Sequence, residues 1–566
     1  DALDRLTLVF SEAAMKQAYT QYETIAEFDG VTHSRIVDEF RELDQRRIEL
    51  ARHETACAHF ERMPAGGDYG SVGIIRGEIR KKRRHKPIRR LLTDAGHAVQ
   101  AIKPVFMMSP ISIAQFIEPG VLEFDLLVID EASQVRPVEA FGAVMRSRQA
   151  VVVGDNRQLP PTSFFDRMSG SDDVEPGEDD DTTSAADVES ILDLCVARNF
   201  PQRMLQWHYR SRHHSLIAVS NREFYQDRLF VIPSAERDGG TRGLQFRHVA
   251  NGVFDRGKSR TNRQEARAVA AAMIEHARHS PRLSLGVGTF SVAQRDAILD
   301  ELELLRRNHP ETEDFFSLTS AEPWFVKNLE NIQGDERDVI FISVGYGFDA
   351  SGYFSMNFGP LNREGGERRL NVLISRARER CVVFSSIKAD NVDLRRTSAI
   401  GVKSLKTFLH FAETGKLETA EITGRDFDSD FEIDVANAIR SLGYEVDQQV
   451  GMAGFFIDLA VVDPDCPGRY ILGVECDGAT YHSARWARDR DRLRQAVLEN
   501  HGWSLHRIWS SDWFQSRNDQ VKKLAAAIED QRLNNRVDAA ATSESLTEED
   551  SNDGEIVVDS PENGIE

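Results

Sequence analysis

Apolar positions along this chain fall into three kinds of pattern. Over the first seventy residues they recur at helical spacing among charged ones, as in EFRELDQRRIELARHETACAHF, which predicts helices paired as a hairpin or stalk. Further on, LLVID and AVVVGD are apolar runs without alternation, ending at Asp130 and Asp155, and they predict strands buried on both faces of a parallel sheet. A third pattern starts near residue 426, where FDSDFEIDVANAIRSLGYEVDQQV predicts a helix, a turn at Gly443 and a strand. Short strand signals follow at Phe456-Ile-Asp-Leu-Ala-Val-Val and Ile471-Leu-Gly-Val-Glu-Cys-Asp-Gly.

The first chemistry lies where the apolar runs stop. Parallel sheets place ligands beyond the carboxyl ends of their strands, so Asp130 is positioned to hold Mg²⁺ and Glu131 to activate a water. The second run leads into Gly154-Asp155 and then Gln158. Downstream come Gln206-Trp-His-Tyr-Arg-Ser-Arg212, Asn331-Ile-Gln-Gly-Asp-Glu336 and Arg369-Leu-Asn-Val-Leu-Ile-Ser-Arg-Ala-Arg378. In this order the motifs resemble those of superfamily 1 helicases, class B, over roughly residues 100 to 390. The resemblance implies two RecA-like domains that close on ATP, with nucleic acid running across both. It implies that Gln158 senses the γ-phosphate, that Arg210 and Arg376 reach it from the second domain, and that Gln333, Gly334 and Glu336 line the nucleotide, with Glu336 on the ribose. Guanidinium groups delivered from a separate domain would make hydrolysis conditional on closure.

One expected part is not where it should be. A phosphate loop, G-x-x-x-x-G-K-[ST], belongs upstream of the acidic strand, and residues 1 to 125 contain none. The pattern occurs downstream, at Gly252-Val-Phe-Asp-Arg-Gly-Lys-Ser259, after a strand-like LQFRHV and before a helix-like NRQEARAVAAAMIEHA. A working loop shares a sheet with its acidic partner, so this match is read as a decoy and Lys258 as no nucleotide ligand. The chain opens with Asp1, which is the reading expected of a fragment of a longer protein, and the 566 residues alone are expected to bind ATP poorly.

Length then sets the scale, because 566 residues suggest three or four domains. The predicted divisions are a helical stalk with a basic run over 1–95, the rest of a first RecA-like domain over 96–170, an acidic disordered insert at 171–189, a second RecA-like domain over 190–425, a nuclease-like domain over 426–530 and an acidic disordered tail over 531–566. The net charge of −21 would oppose nucleic-acid binding were it not gathered in the insert and the tail, where a protein partner could dock. Against these stands RGEIRKKRRHKPIRR, Arg76 to Arg90, either a phosphate-tracking surface or a solvated helix face. Five cysteines without a CxxC pair argue against a zinc module or disulfide frame and point to a reducing cytoplasm. There is no secretory leader and no apolar stretch of membrane-spanning length.

The terminal segment carries a second chemistry. Residues two apart on a strand share a face, so Glu475 and Asp477 point the same way and can converge with Asp458 on a neighbouring strand. Carboxylates without soft ligands favour Mg²⁺ or Mn²⁺. The E…D…ExDG…H order and the trailing Gly502-Trp503 and Arg507-Ile-Trp509 resemble PD-(D/E)xK nucleases, in the branch of very-short-patch-repair endonucleases. By that resemblance Glu432 is the helix acid, Asp458, Glu475 and Asp477 are metal ligands, and His482 is a candidate for proton transfer. Asp477 stands where the wider superfamily has lysine, which leaves the general base open. Arg485, Arg488, Arg490, Arg492 and Arg494, interleaved with Asp489 and Asp491, suit either a nucleic-acid surface or internal salt bridges. Trp486, Trp503, Trp509 and Trp513 are read as core.

Together these features predict an α/β protein, two RecA-like parallel-sheet domains plus a C-terminal α/β restriction-endonuclease-like domain. The expected activity is an ATP-dependent helicase or translocase on nucleic acid, DNA first, joined to a metal-dependent endonuclease in DNA repair or defence. The alternatives are an RNA-directed helicase, or a non-catalytic scaffold with an inactive nuclease fold.

Overall fold

The unbroken apolar runs do form parallel strands, but their two faces are covered unequally. In a computed structural model describing residues 2–22, 27–67, 69–159, 190–236, 241–317, 322–417, 429–452, 455–466, 468–477 and 488–549, β1 (Phe124–Ile129) pairs in parallel with β2 (Ser147–Val152). Leu127, Ile129 and Val152 pack with Ala140 and Ile191 from the helices Pro137–Val144 and Ile191–Ala197. On the opposite face Leu126, Val128 and Val151 are 50%, 56% and 43% exposed. This corrects the expectation of burial on both faces. Among the described residues the sheet has two strands, so no further strand or helix covers that side.

After β3 (Trp207–His208) and β4 (Phe230–Val231), the second sheet is complete. It comprises β5 (Gly243–His248), β6 (Leu285–Thr289), β7 (Phe325–Asn328), β8 (Arg337–Ser343) and β9 (Ala377–Ser385), all parallel, in the order β5-β9-β8-β6-β7. Alternation decides which helices each face meets. Ile340, Ile342, Cys381 and Val383 join a core with the helices Ser215–Tyr225, Gly366–Ile374 and Ile400–Thr414. Val339, Phe341, Val382 and Phe384 face the helices Arg263–His279 and Val292–Arg306.

The terminal domain is a four-stranded sheet, β10 (Val446–Met452), β11 (Phe455–Val462), β12 (Tyr470–Asp477) and β13 (Leu505–Trp509), in sequence order. The first two pairings are antiparallel and the last is parallel. Leu459, Val461, Leu472, Val474 and Ile508 pack with the helix Asp430–Ser441 and with Leu524 and Ile528 of the last helix. Tyr470, Val462 and Trp503 instead form a core with Ile232 and Ala235, from the segment after β4. Trp503 donates to the Pro233 carbonyl at 2.9 Å, and Arg212 donates to the Asn500 carbonyl at 2.8 Å, so this domain is fastened to the helicase-like part.

Trp503, Trp509 and Trp513 are buried, while Trp486 lies outside the described residues, as does the acidic insert 171–189. The last helix, Arg517–Glu549, continues well past residue 531, where the charge pattern predicts a disordered tail. Its Ala, Leu, Glu and Arg content favours helix whatever the net charge. The first residues form the helices Ala2–Gln21, Gly30–Arg62, Gly70–Arg80 and Ile88–Ile102. No helix among the described residues is long and apolar enough to cross a membrane.

Candidate active sites

The acidic turn after β1 is shaped by close backbone contact. Glu131 adopts a left-handed conformation, φ 50°, and its N–H donates to Asp130 Oδ1 at 2.9 Å. The next amide, Ala132, donates to the Val153 carbonyl at 2.9 Å. A Cβ on Gly154 would stand 2.9 Å from the Ser133 nitrogen, so glycine is what lets the two strand exits touch. Both Asp130 and Glu131 are exposed there, as a ligand site requires.

Asp155, quoted in the sequence but given no role, turns out to be the hub. It accepts from Gln158 Nε2 at 3.0 Å and from the Tyr225 hydroxyl at 2.6 Å. Asn371 donates in turn to the Tyr225 oxygen at 3.0 Å and to the Arg157 carbonyl at 2.9 Å. Burial, and then the Asp155 charge, push the Tyr225 phenol well above its ordinary range, so it stays a donor. One hydrogen-bonded chain thus ties the exit of β2 to two helices of the second domain. It holds the Gln158 amide on Asp155.

The arginines converge on the same cleft. Arg210 pairs with Glu336 at 2.7 Å, and Arg378 lies 3.7 Å from the same carboxylate while also holding Glu322 and Asp338. Arg376 is buried and donates to the Val372 carbonyl at 2.7 Å. Burial, helped by Arg210, lowers its pKa to about 10, while Tyr225, Glu131 and Glu336 act the other way. Arg376 therefore lies in the field of Glu131 across the two domains. Glu336 is engaged by arginine, whereas the resemblance gives it a ribose. Gln333 carries a buried Nε2 with no partner among the described residues, and Gly334 sits at φ 82°.

The downstream glycine-lysine match folds on itself. Asp255 accepts from the Ser259 amide at 3.1 Å and from its hydroxyl at 2.9 Å, donors that a phosphate loop would turn toward its ligand. Lys258 is exposed. The acidic pair, Gln158 and the arginines suit a nucleotide with its Mg²⁺, but among the described residues no loop cradles phosphates.

In the terminal domain the β11/β12 register sets Leu459 beside Val474, and continuing it places Asp458 opposite Glu475. The Cys476 amide donates to Asp458 Oδ2 at 2.7 Å. Glu432, buried at the start of its helix, accepts from Gln449 Nε2 at 3.0 Å and Ser429 Oγ at 3.2 Å. Burial, then Glu475, then Glu432 raise the Asp458 pKa to about 8. Glu475 and Glu432 thus act on the Asp458 carboxyl across a poorly solvated space.

Arginines occupy the rest. Arg494 donates to Glu475 at 3.0 Å with its guanidinium 4.4 Å from the Phe455 ring centroid. Asp477, expected as a metal ligand, pairs instead with Arg507 at 2.7 Å, diagonally across the parallel β12/β13 pair in which Arg507 stands opposite Glu475 and Trp509 opposite Asp477. Among the described residues no three Asp, Glu, His or Cys side chains gather closely enough to hold a metal, so the expected set Asp458, Glu475 and Asp477 is not brought together. His482 lies outside the described residues. Within the arginine run, Arg488 and Arg492 bind Asp44 on the helix Gly30–Arg62. Within the upstream basic run, Lys81 and Lys86 are held by Glu78 and Asp94, and Lys82, Arg83 and Arg84 are exposed.

Comparison with known proteins agrees with this layout. Two AAA-domain family models match residues 112–165 and 188–388, and the restriction-endonuclease-type model REase_MTES_1575 matches 431–528. The chain is 28% identical over 423 residues to an uncharacterized ATP-dependent helicase, MG140, of Mycoplasma genitalium, covering 72% of this chain and 37% of that protein. It is 26% identical over 381 residues to DNA polymerase alpha-associated DNA helicase A of Saccharomyces cerevisiae, covering 61% and 49%. With the DNA replication ATP-dependent helicase/nuclease dna2 of Schizosaccharomyces pombe it shares 25% over 293 residues, covering 47% and 19%. The chain spans about a third to a half of the length of the first three of these curated relatives' matched helicases MG140, its homolog in Mycoplasma pneumoniae and helicase A. It carries helicase domains of the superfamily 1 type and a C-terminal restriction-endonuclease-like domain, and it is homologous to ATP-dependent helicases.

Proposed function

We propose that this chain forms part of an ATP-driven motor on DNA whose terminal domain is a metal-dependent endonuclease. The observation that carries the reading is the half-buried pair Asp458 and Glu475 on neighbouring strands of a restriction-endonuclease-like sheet, with buried Glu432 raising the Asp458 pKa, in a domain fastened to the helicase-like part. On the motor side, Asp130 is the Mg²⁺ ligand and Glu131 takes the proton from water. Arg210 and Arg376 present positive charge from the second domain, and the Asp155–Tyr225–Asn371 chain sets their distance from Glu131. Bound ATP would supply the hydrolysis that drives movement.

On the nuclease side, Asp458 and Glu475 are the residues that would hold Mg²⁺ or Mn²⁺, with Glu432 adding negative charge behind them. The cation would supply an activated water and charge for the leaving oxygen of a phosphodiester. Arg494, which holds Glu475 in the fold, would stand beside the site for a backbone phosphate. Genome maintenance or defence against foreign DNA is the setting in which a strand exposed by a motor would be cut.

The test is cleavage of single- and double-stranded DNA with Mg²⁺ or Mn²⁺ by the parent and by Asp458→Ala. Cutting that disappears in the variant and in chelator supports the reading. A full-length protein that hydrolyses ATP on DNA but never cuts refutes the nuclease half.

A further inference from the structure

The first half of the long helix Gly30–Arg62 is docked on the terminal domain. Its first amide, Gly30, donates to Asp512 at 3.1 Å, Ser34 accepts from Trp509 Nε1 at 3.0 Å, and His33 meets the Trp509 ring edge-on at 4.9 Å. Arg41 lies 3.6 Å from Glu499. One turn further on, Asp44 receives Arg488, at 2.8 and 3.0 Å, and Arg492. Arg492 also donates to Gln45 Oε1 at 3.3 Å.

Two features distinguish this contact from ordinary surface pairing. One carboxylate, 13% exposed, faces two guanidinium groups at once. The arginines also belong to the segment whose next member, Arg494, holds Glu475 in the carboxylate trio. A singly charged anion bridged by two planar cations, beside a phosphodiester-cutting site, has the charge and shape of a backbone phosphate.

We propose that Arg488 and Arg492 form a clamp for a DNA backbone phosphate leading into the nuclease site, and that Asp44 occupies this clamp as an internal substitute. The inference rests on the nuclease reading of the terminal domain for its direction, but the clamp is a binding site in its own right. DNA then enters only by displacing the Gly30–Arg62 helix from the arginines, which keeps the carboxylate trio closed until a strand competes for them.

The experiment is anisotropy titration of end-labelled single-stranded DNA with the whole chain in chelator, where nothing is cut. Asp44→Asn keeps the side-chain shape and removes the charge. It is expected to bind about tenfold tighter than the parent, the scale of two released surface pairs. The slope of log affinity against log salt is expected to steepen by about 1.4, two phosphate contacts at about 0.7 each. In an Arg488→Ala, Arg492→Ala background the gain from Asp44→Asn should vanish. No gain in Asp44→Asn, or a gain that survives loss of both arginines, overturns the clamp. Because the titration does not involve scission, a domain that binds in this way without ever cutting refutes the proposed endonuclease and leaves the clamp standing.

Discussion

Replacing Asp458 with asparagine should stabilise the terminal domain, and more so as pH rises. Its carboxyl is raised from 3.8 to about 8 by burial and by Glu475 and Glu432. In the unfolded chain the group loses its proton near the ordinary carboxylate value, whereas in the fold it keeps the proton up to about pH 8. Folding therefore takes up a proton across this window, and the parent loses stability as pH climbs through it. Below the window the folded and unfolded forms are both protonated and the penalty is absent; above it the penalty is complete. At about 1.4 kcal/mol per pH unit the full shift sets a ceiling of about 6 kcal/mol. The titration belongs to all three carboxylates, and asparagine weakens the bond from the Cys476 amide, so about 2–3 kcal/mol is the expected gain at high pH. Denaturant unfolding of parent and Asp458→Asn, followed by the fluorescence of the buried tryptophans, reads the difference across a pH series. Titrating groups other than Glu475 and Glu432 cancel in that difference. A variant that is no more stable than the parent at any pH, or a gap that does not widen from acid to mildly alkaline solution, would refute the view of an uncompensated buried charge at Asp458.

Further outcomes follow from single contacts. Tyr225→Phe removes the hydroxyl between Asp155 and Asn371 and should cost about 1 kcal/mol in denaturant unfolding, since Asp155 keeps Gln158 and Asn371 keeps the Arg157 carbonyl. Trp503→Ala empties the core shared with Ile232 and Ala235 and should cost about 3–5 kcal/mol; limited proteolysis should then cut between the helicase-like and terminal domains faster than in the parent. Lys258→Ala should leave nucleotide affinity of the full-length protein unchanged in a fluorescent ATP-analogue titration, since the loop's Ser259 donors serve Asp255; a marked loss would show that the lysine is a ligand.

The parts of the fold legible in the sequence were those set by local pattern. The apolar runs of β8 and β9 become strands covered on both faces because every second residue finds a helix on either side. The same composition misleads at β1, where Leu126 and Val128 stand exposed, because a strand's sequence records which faces suit burial and not how many neighbours the described residues supply. Helix capacity in the segment after 531 was hidden for a different reason. Net charge dominated the reading, while Ala, Leu and Glu keep their helix preference under that charge.

Site residues divide along the same line. Asp130 and Glu131 could be placed because a strand end is a local feature, and Asp458 opposite Glu475 because strand parity brings carboxylates to one face. Their partners are set by register and by contacts between distant segments, which no short window contains. Arg507 reaches Asp477 diagonally from the neighbouring strand β13, and Asp44 reaches Arg488 across more than four hundred residues. An acid read in isolation as a metal ligand is thus, in the fold, one half of an ion pair, and its availability depends on what holds the arginine. At Glu475, under the proposed nuclease reading, that competition would be direct: Arg494 holds the oxygens that a divalent cation would need, so any contact that draws Arg494 toward a phosphate would also free Glu475.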